Sequence, residues 1–257
     1  MLLSLTNSRS LLTPSDTDYW PMTGIITDEP TLTFLIGGLG AGKTELALNL
    51  AVSIAETHGA GVSRLLDLDI VNPFFRVRKV ADEVGRLGVN VVMPCERARA
   101  GDLPSLPPEV WGALANRNEW VTCDVGGGEV GLRVLGRLRE AAENRPMRVL
   151  FVINPFRPGY TSLAGIEKNF FFLQDYSALS VTHLVANPHL VGETTPELFQ
   201  RGLEMIQEFA VRVSVPVAFA MATPELISAL DGPISIEMQA IRRFWRTPWR
   251  FGLEQEE

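Results

Sequence analysis

Gly37-Gly38-Leu39-Gly40-Ala41-Gly42-Lys43-Thr44 stands between the apolar run Leu32-Thr33-Phe34-Leu35-Ile36 and a helical pattern carrying Leu46, Leu48, Leu50, Ala51, Ile54 and Ala55 that stops at Gly59. A glycine-rich loop between a strand and a helix turns successive backbone N–H groups toward one point and makes an anion nest. The helix adds its N-terminal partial positive charge there. In a loop of this spacing the lysine, Lys43, reaches the β- and γ-phosphates of a nucleotide, and the hydroxyl of Thr44 takes a Mg²⁺ coordination position. The plain alternative is a glycine-rich turn joining an ordinary strand to an ordinary helix; an apolar, β-rich strand before the loop and an apolar helix after it count against that reading.

Outward from this loop, short β-branched or leucine-rich runs alternate with helical patterns. Strands are predicted at 32–36, 64–68, 89–93, 119–123, 148–153, 182–186 and 216–221, and helices at 43–57, 74–87, 129–143, 161–176 and 195–211. A further short helix is predicted near Val110 to Leu114, inside the proline-bearing connection 94–118. Such alternation is how a parallel sheet covered on both faces reads. The fold class is therefore α/β: a three-layer P-loop NTPase (Rossmann-like) with a mostly parallel central sheet of about seven strands. Residues 1–30 read as an extended or disordered arm, most of which a start at Met22 would remove without touching the core. Residues 31–232 read as the nucleotide-binding domain, and 233–257 as a C-terminal helix and tail.

Composition narrows the classes. With 257 residues, 46% hydrophobic and 21% charged, the chain can bury one sizeable core. A net charge of −7 argues against a polyanion-binding surface, so no nucleic-acid partner is expected. Cys95 and Cys123 form no C-x-x-C pair, and His58, His183 and His189 are scattered, which disfavours structural zinc or an iron–sulfur cluster. Reduced thiols, no membrane-length apolar run and no signal-peptide pattern point to a cytoplasmic protein.

Ligands in open α/β sheets sit beyond the carboxyl ends of the strands. Those positions are unusually polar here: Asp67 and Asp69 after the second strand, Asp124-Val125-Gly126-Gly127-Gly128 after the fourth, Asn154-Pro155 after the fifth and Asn187-Pro188 after the sixth. Asp124 at a buried strand tip suits a Walker-B carboxylate holding Mg²⁺ directly or through water, and the glycines after it, Gly127 among them, let backbone N–H groups approach a γ-phosphate. Asp67 and Asp69 alternate along an extended chain and so face one side, where two carboxylates near phosphates repel unless a cation intervenes. Asp67 is assigned to the Mg²⁺ surroundings and Asp69 to orienting the attacking water. The alternative for Asp69 is a cap on the turn at Val71-Asn72-Pro73.

The order of P-loop, D-L-D, D-V-G-G, I-N-P-F-R-P and V-A-N-P resembles the MinD/ParA/CobB group of P-loop NTPases, the SIMIBI class, over roughly residues 31 to 225. The resemblance implies that the carboxylate matching Asp69 positions water and that the one matching Asp67 supports Mg²⁺. It further implies that Asn187, followed by Pro188, contacts the adenine, and that Ala222-Thr223-Pro224 flanks the base. The implied nucleotide-binding set is Gly37, Gly38, Leu39, Gly40, Ala41, Gly42, Lys43, Thr44, Glu45, Gly127, Asn187 and Pro188, with Thr44, Asp67 and Asp124 at the metal and Lys43 and Asp69 catalytic. One position departs from the pattern. ParA- and MinD-type proteins carry a signature lysine where this chain has Gly38, which removes the lysine-bridged dimer contact. The loop looks more like those of the group's metallochaperone GTPases or amide-forming enzymes, yet Ala186-Asn187-Pro188-His189 lacks the acidic residue of a guanine-reading N-K-x-D, so ATP is expected over GTP.

Arg76, Arg78 and Lys79, and likewise Arg157, read either as a grip on a second anion or a dimer partner or as a solvated face. The basic, partly amphipathic stretch from Ile234 to Arg250 reads as a helix packed on the domain, with a membrane role disfavoured by the acidic end Glu254, Glu256 and Glu257. The sequence thus points to a Mg²⁺-dependent ATP-binding protein, a slow ATPase acting as a nucleotide switch. Its expected partners are the nucleotide, a second copy of the chain and a protein the sequence does not identify. Two alternatives stay open: an ATP-dependent ligase or kinase of a small acidic metabolite, and a non-hydrolysing ATP-sensing scaffold.

Overall fold

The computed structural model describes Met22 and residues 24–69, 77–93, 107–127, 135–136, 138–139, 142 and 145–244, with the side chains of 78 and 79 outside that description. Eight strands form one sheet: β1 (Leu32–Gly37), β2 (Ser63–Leu68), β3 (Val89–Val92), β4 (Trp120–Val125), β5 (Met147–Ile153), β6 (His183–Ala186), β7 (Val217–Ala222) and β8 (Met238–Ala240). Their spatial order is β3-β2-β4-β1-β5-β6-β7-β8, and every pairing is parallel. The helices are α1 (Lys43–His58), α2 (Val77–Arg86), α3 (Pro108–Ala115), α4 (Leu163–Ser177), α5 (Pro196–Val213) and α6 (Pro224–Ala229).

The period-2 alternation of the strands sorts the core into two layers. Leu35, Leu65, Leu150, Val152, Val185, Phe219 and Met221 pack with α1 and α2, whereas Phe34, Ile36, Leu66, Phe151, Leu184 and Ala220 pack with α3, α4 and α5. Both faces of the sheet are therefore covered, which is why the central strands read as continuous apolar runs rather than as alternating ones. The short strands β1 and β4 at the centre are buried along their whole length. Among the described residues no helix is long and apolar enough to cross a membrane.

The structure differs from the sequence expectation at both ends. Met22 and Ile25, assigned to the N-terminal arm, are buried in the α1 layer, and the Met22 N–H donates to Ser53 Oγ. Buried packing among the described residues thus reaches back to Met22. At the other end, residues 238–240, expected to be helical, form the eighth strand. Ile234, Ile236 and Met238 alternate with Ser235, Glu237 and Gln239, a period-2 pattern that suits a sheet edge and not a helix. Beyond β8 the chain turns back onto α1: Asn49 Nδ2 donates to Arg242 O while Asn49 Oδ1 accepts from Arg242 N, and Glu45 Oε1 accepts from Phe244 N. Residues 245–257 lie outside the described residues, as does Arg76.

Candidate functional site

Strands β2, β4, β1, β5 and β6 are consecutive neighbours, so the segments after their carboxyl ends meet on one rim. The Walker loop 37–44 is at its centre. Gly42 adopts φ 101°, a left-handed conformation that strains any side-chain-bearing residue, and a Cβ there would stand 2.2 Å from Asn187 Nδ2. This residue starts α1 without a side-chain cap. By contrast Ser162, Thr195 and Thr223 cap α4, α5 and α6 by accepting from Gly165 N, Leu198 N and Leu226 N. Helix α3, also without a side-chain cap, opens on Pro108, which has no N–H to satisfy. At Gly42, then, α1 starts on the Walker loop with no side chain of the N-cap residue bonded to it.

Lys43 is buried, and its Nζ donates to Gly37 O and Gly38 O at 2.9 Å each. A desolvated ammonium is costly unless it is hydrogen-bonded; here the loop itself satisfies it. Leu39 at the loop apex is 69% exposed, so the outer side of the loop is open.

On the β2/β4 side, Asp67 and Asp124 are register partners on adjacent strands. Both are buried, and both fall on the α1 side of the sheet because their neighbours Leu66, Leu68, Cys123 and Val125 pack on the other. The Asp69 N–H donates to Asp67 Oδ1 at 3.1 Å. Asp69 Oδ1 lies 2.7 Å from where a Cβ on Gly126 would stand, and a Cβ on Gly127 would stand 3.0 Å from Gly37 O and 3.1 Å from Leu39 N. The acidic pair, the turn after β4 and the Walker loop are therefore in mutual contact through glycines. Val71-Asn72-Pro73, the turn Asp69 was weighed as capping, and Gly128 lie outside the described residues.

Among the described residues no group of three or more His, Cys, Asp or Glu is placed to hold a metal ion.

On the β5/β6 side, Asn187 is buried with Nδ2 donating to Ala41 O at 2.7 Å, which ties the end of β6 to the Walker loop. Pro188 packs toward α5, its Cβ 2.5 Å from where a Cβ on Gly202 would stand. Asn154 Nδ2 donates to His189 O, joining the β5 and β6 loops. Burial, with Arg243 and Arg157 nearby, holds the His189 imidazole below its ordinary value and so neutral at pH 7. Glu45 is engaged with the C-terminal segment through Phe244 N. Thr223 spends its hydroxyl on the α6 cap.

Sequence reasoning did not assign two residues of this rim. Tyr160 is buried against Gly38, where a Cβ would stand 2.4 Å from its ring, and burial pushes its phenol up to about 12. That contact gives a physical reason for glycine at the position where a signature lysine stands in the resembled proteins. Arg157, left open between a ligand grip and a solvated face, donates through Nε to Gly40 O at 3.1 Å. The signal for both was their place just after β5, in Asn154-Pro155-Phe156-Arg157-Pro158-Gly159-Tyr160.

No family model matches the chain, and no curated protein matches it. Solved structures do. The cell division protein FtsY of Thermotoga maritima superposes with a TM-score of 0.53 at 20% identity, over 80% of this chain and 66% of that one. FtsY of Mycoplasma mycoides gives 0.51 at 14% identity, over 79% of this chain and 63% of that one. The signal recognition particle receptor FtsY of Elizabethkingia anophelis in complex with GDP gives 0.51 at 20% identity, over 76% and 58%. The chain thus spans about two-thirds or less of the length of these proteins. They belong to the SIMIBI class of P-loop NTPases, and the likeness is one of fold: helices on both faces of a parallel sheet.

Proposed function

We propose that this chain is a Mg²⁺-dependent nucleoside-triphosphate switch of the MinD/ParA/CobB branch, with ATP as its nucleotide and slow hydrolysis as its reaction. The observation that carries the reading is Lys43, held by Gly37 O and Gly38 O at the uncapped start of α1. A nucleotide phosphate would replace those carbonyls as the partner of Nζ, while backbone amides of the loop and of the start of α1 would meet the other phosphate oxygens. Thr44, Asp124 and Asp67 would hold Mg²⁺, which when bound neutralises charge on the phosphates. Asp69, against the turn after β4, would orient the attacking water, and Gly127 would relay the presence of the terminal phosphate to that turn. Positioning and electrostatics supply most of the acceleration in this chemistry, so a scaffold of rigid loops suffices.

ATP is favoured because Ala186-Asn187-Pro188-His189 offers no carboxylate to a guanine amine. GTP is the second reading, and the GDP bound in one of the similar structures supports it. Titration of the purified chain with fluorescent ATP and GTP analogues, with and without Mg²⁺, decides between them. Tight Mg²⁺-dependent ATP binding is expected. Preference for GTP would transfer the assignment to guanine, and binding of neither would end it.

A further inference from the structure

The loop after β5 reaches over the Walker loop from the side opposite the acidic residues, and it is held at several points. Asn154 Oδ1 accepts from Phe156 N, Arg157 N donates to Asn154 O, and Tyr160 N donates to Arg157 O. Tyr160 closes on Gly38 and Arg157 on Gly40. Two glycines of the Walker loop are thus covered by a loop of the same chain, at the end where the resembled proteins carry their extra lysine.

Which end of the phosphate site this is follows from Lys43. The P-loop lysine serves the β- and γ-phosphates, and Lys43 Nζ sits on the carbonyls of Gly37 and Gly38. The 37–40 half of the loop is therefore the terminal-phosphate end, and Gly127 packs on that same half. Arg157 enters there. Its guanidinium spends Nε on Gly40 O, and its two terminal nitrogens make no hydrogen bond or ion pair among the described residues. A guanidinium anchored by one N–H presents the rest of a rigid donor fork, the geometry suited to a phosphoryl oxygen pair. His189, whose imidazole is held low first by burial and then by Arg243 and Arg157, lies within reach of the same guanidinium.

We propose that Arg157 is the second phosphate-binding cation of this site, supplied in cis from the β5 loop and directed to the terminal phosphate of a bound triphosphate. The proposal rests on the nucleotide reading above and adds to it a residue that distinguishes triphosphate from diphosphate. It also accounts for Gly38: the position has no room for a lysine, and the loop that fills the room carries the charge instead.

The test uses the full chain, Arg157→Ala and Arg157→Lys, titrated with fluorescent adenosine triphosphate and diphosphate analogues in Mg²⁺, alongside thermal melts. Arg157→Ala is expected to raise the Kd for the triphosphate about tenfold or more while changing that for the diphosphate less than about threefold, with little change in Tm. Arg157→Lys should recover part of the discrimination, since an ammonium lacks the fork that holds Gly40 O and a phosphate together. An unchanged triphosphate-to-diphosphate ratio in Arg157→Ala would overturn the proposal, and so would an equal loss for both nucleotides with a lowered Tm, which would make Arg157 a structural clasp. Absence of nucleotide binding in the unmutated chain is a different failure: it would remove the site reading itself.

Discussion

Lys43 and Arg145 are both buried cations held by main-chain carbonyls, at opposite ends of the same sheet. Arg145 precedes β5 and donates to Ala113 O, Leu114 O and Asn116 O at the end of α3 and to Glu119 O before β4. The first three lie at the carbonyl end of α3, the negative end of the helix. Burial lowers the Arg145 pKa from its ordinary value. Lys43 has carbonyls from a glycine loop, beside helix amides that no side chain caps. The same chemistry thus closes a structural joint at one rim and, on the proposed reading, holds a cation ready for exchange at the other. What separates them is whether a competing anion has somewhere to sit.

The sharpest way to break this comparison is to remove each cation in turn. Lys43→Ala is expected to lower nucleotide hydrolysis by about 10³-fold or more, read by phosphate release. Its Tm should change by no more than about 3 °C, because the two loop carbonyls can turn to water. Arg145→Ala should do the opposite. Leaving several buried carbonyls without a donor costs about 3 kcal/mol, or roughly 6–10 °C in Tm for a chain of this size, while the rate constant of the folded fraction stays within about twofold of the unmutated value. A stable, inactive Arg145→Ala together with an active, unstable Lys43→Ala would invert the assignment of the two rims.

The two rims also differ in how much of them the sequence disclosed. The Walker loop is local: strand, glycines, lysine and helix lie within about one βα unit, and spacing alone carries their chemistry. The six interior strands were readable because burial on both faces leaves continuous apolar runs. Strand β8 was not, because three residues at a sheet edge give a weak pattern and the Arg- and Trp-rich stretch after them favoured a helix. Met22 and Ile25 were taken for part of the arm because two apolar residues within a polar stretch show no period, and only the packing against α1 recruits them. Arg157 and Tyr160 meet the Walker loop from more than a hundred residues away, so no spacing rule could pair them with Gly40 and Gly38. Their position after a strand end marked them as candidates, and contact supplied the role.

Within the Walker-loop rim a smaller contrast remains, between Asp67, which is buried and accepts from the main-chain N–H two residues on, and Asp69, which is half-buried against the turn after β4. The main-chain bond to Asp67 Oδ1 comes from the Asp69 backbone, so it survives any change of the Asp69 side chain. Asp69→Asn keeps the shape that fills the space beside Gly126 and removes only the charge. If Asp69 orients the attacking water, hydrolysis should fall about tenfold to a hundredfold with the triphosphate Kd within about twofold, because a neutral amide is a poor partner for a proton leaving in the transition state. If Asp69 instead holds the turn, the isosteric amide should leave turnover intact, and Asp69→Ala should lower Tm. A single-turnover measurement on Asp69→Asn separates the two, since only the first role moves the chemical step while the turn after β4 stays in place.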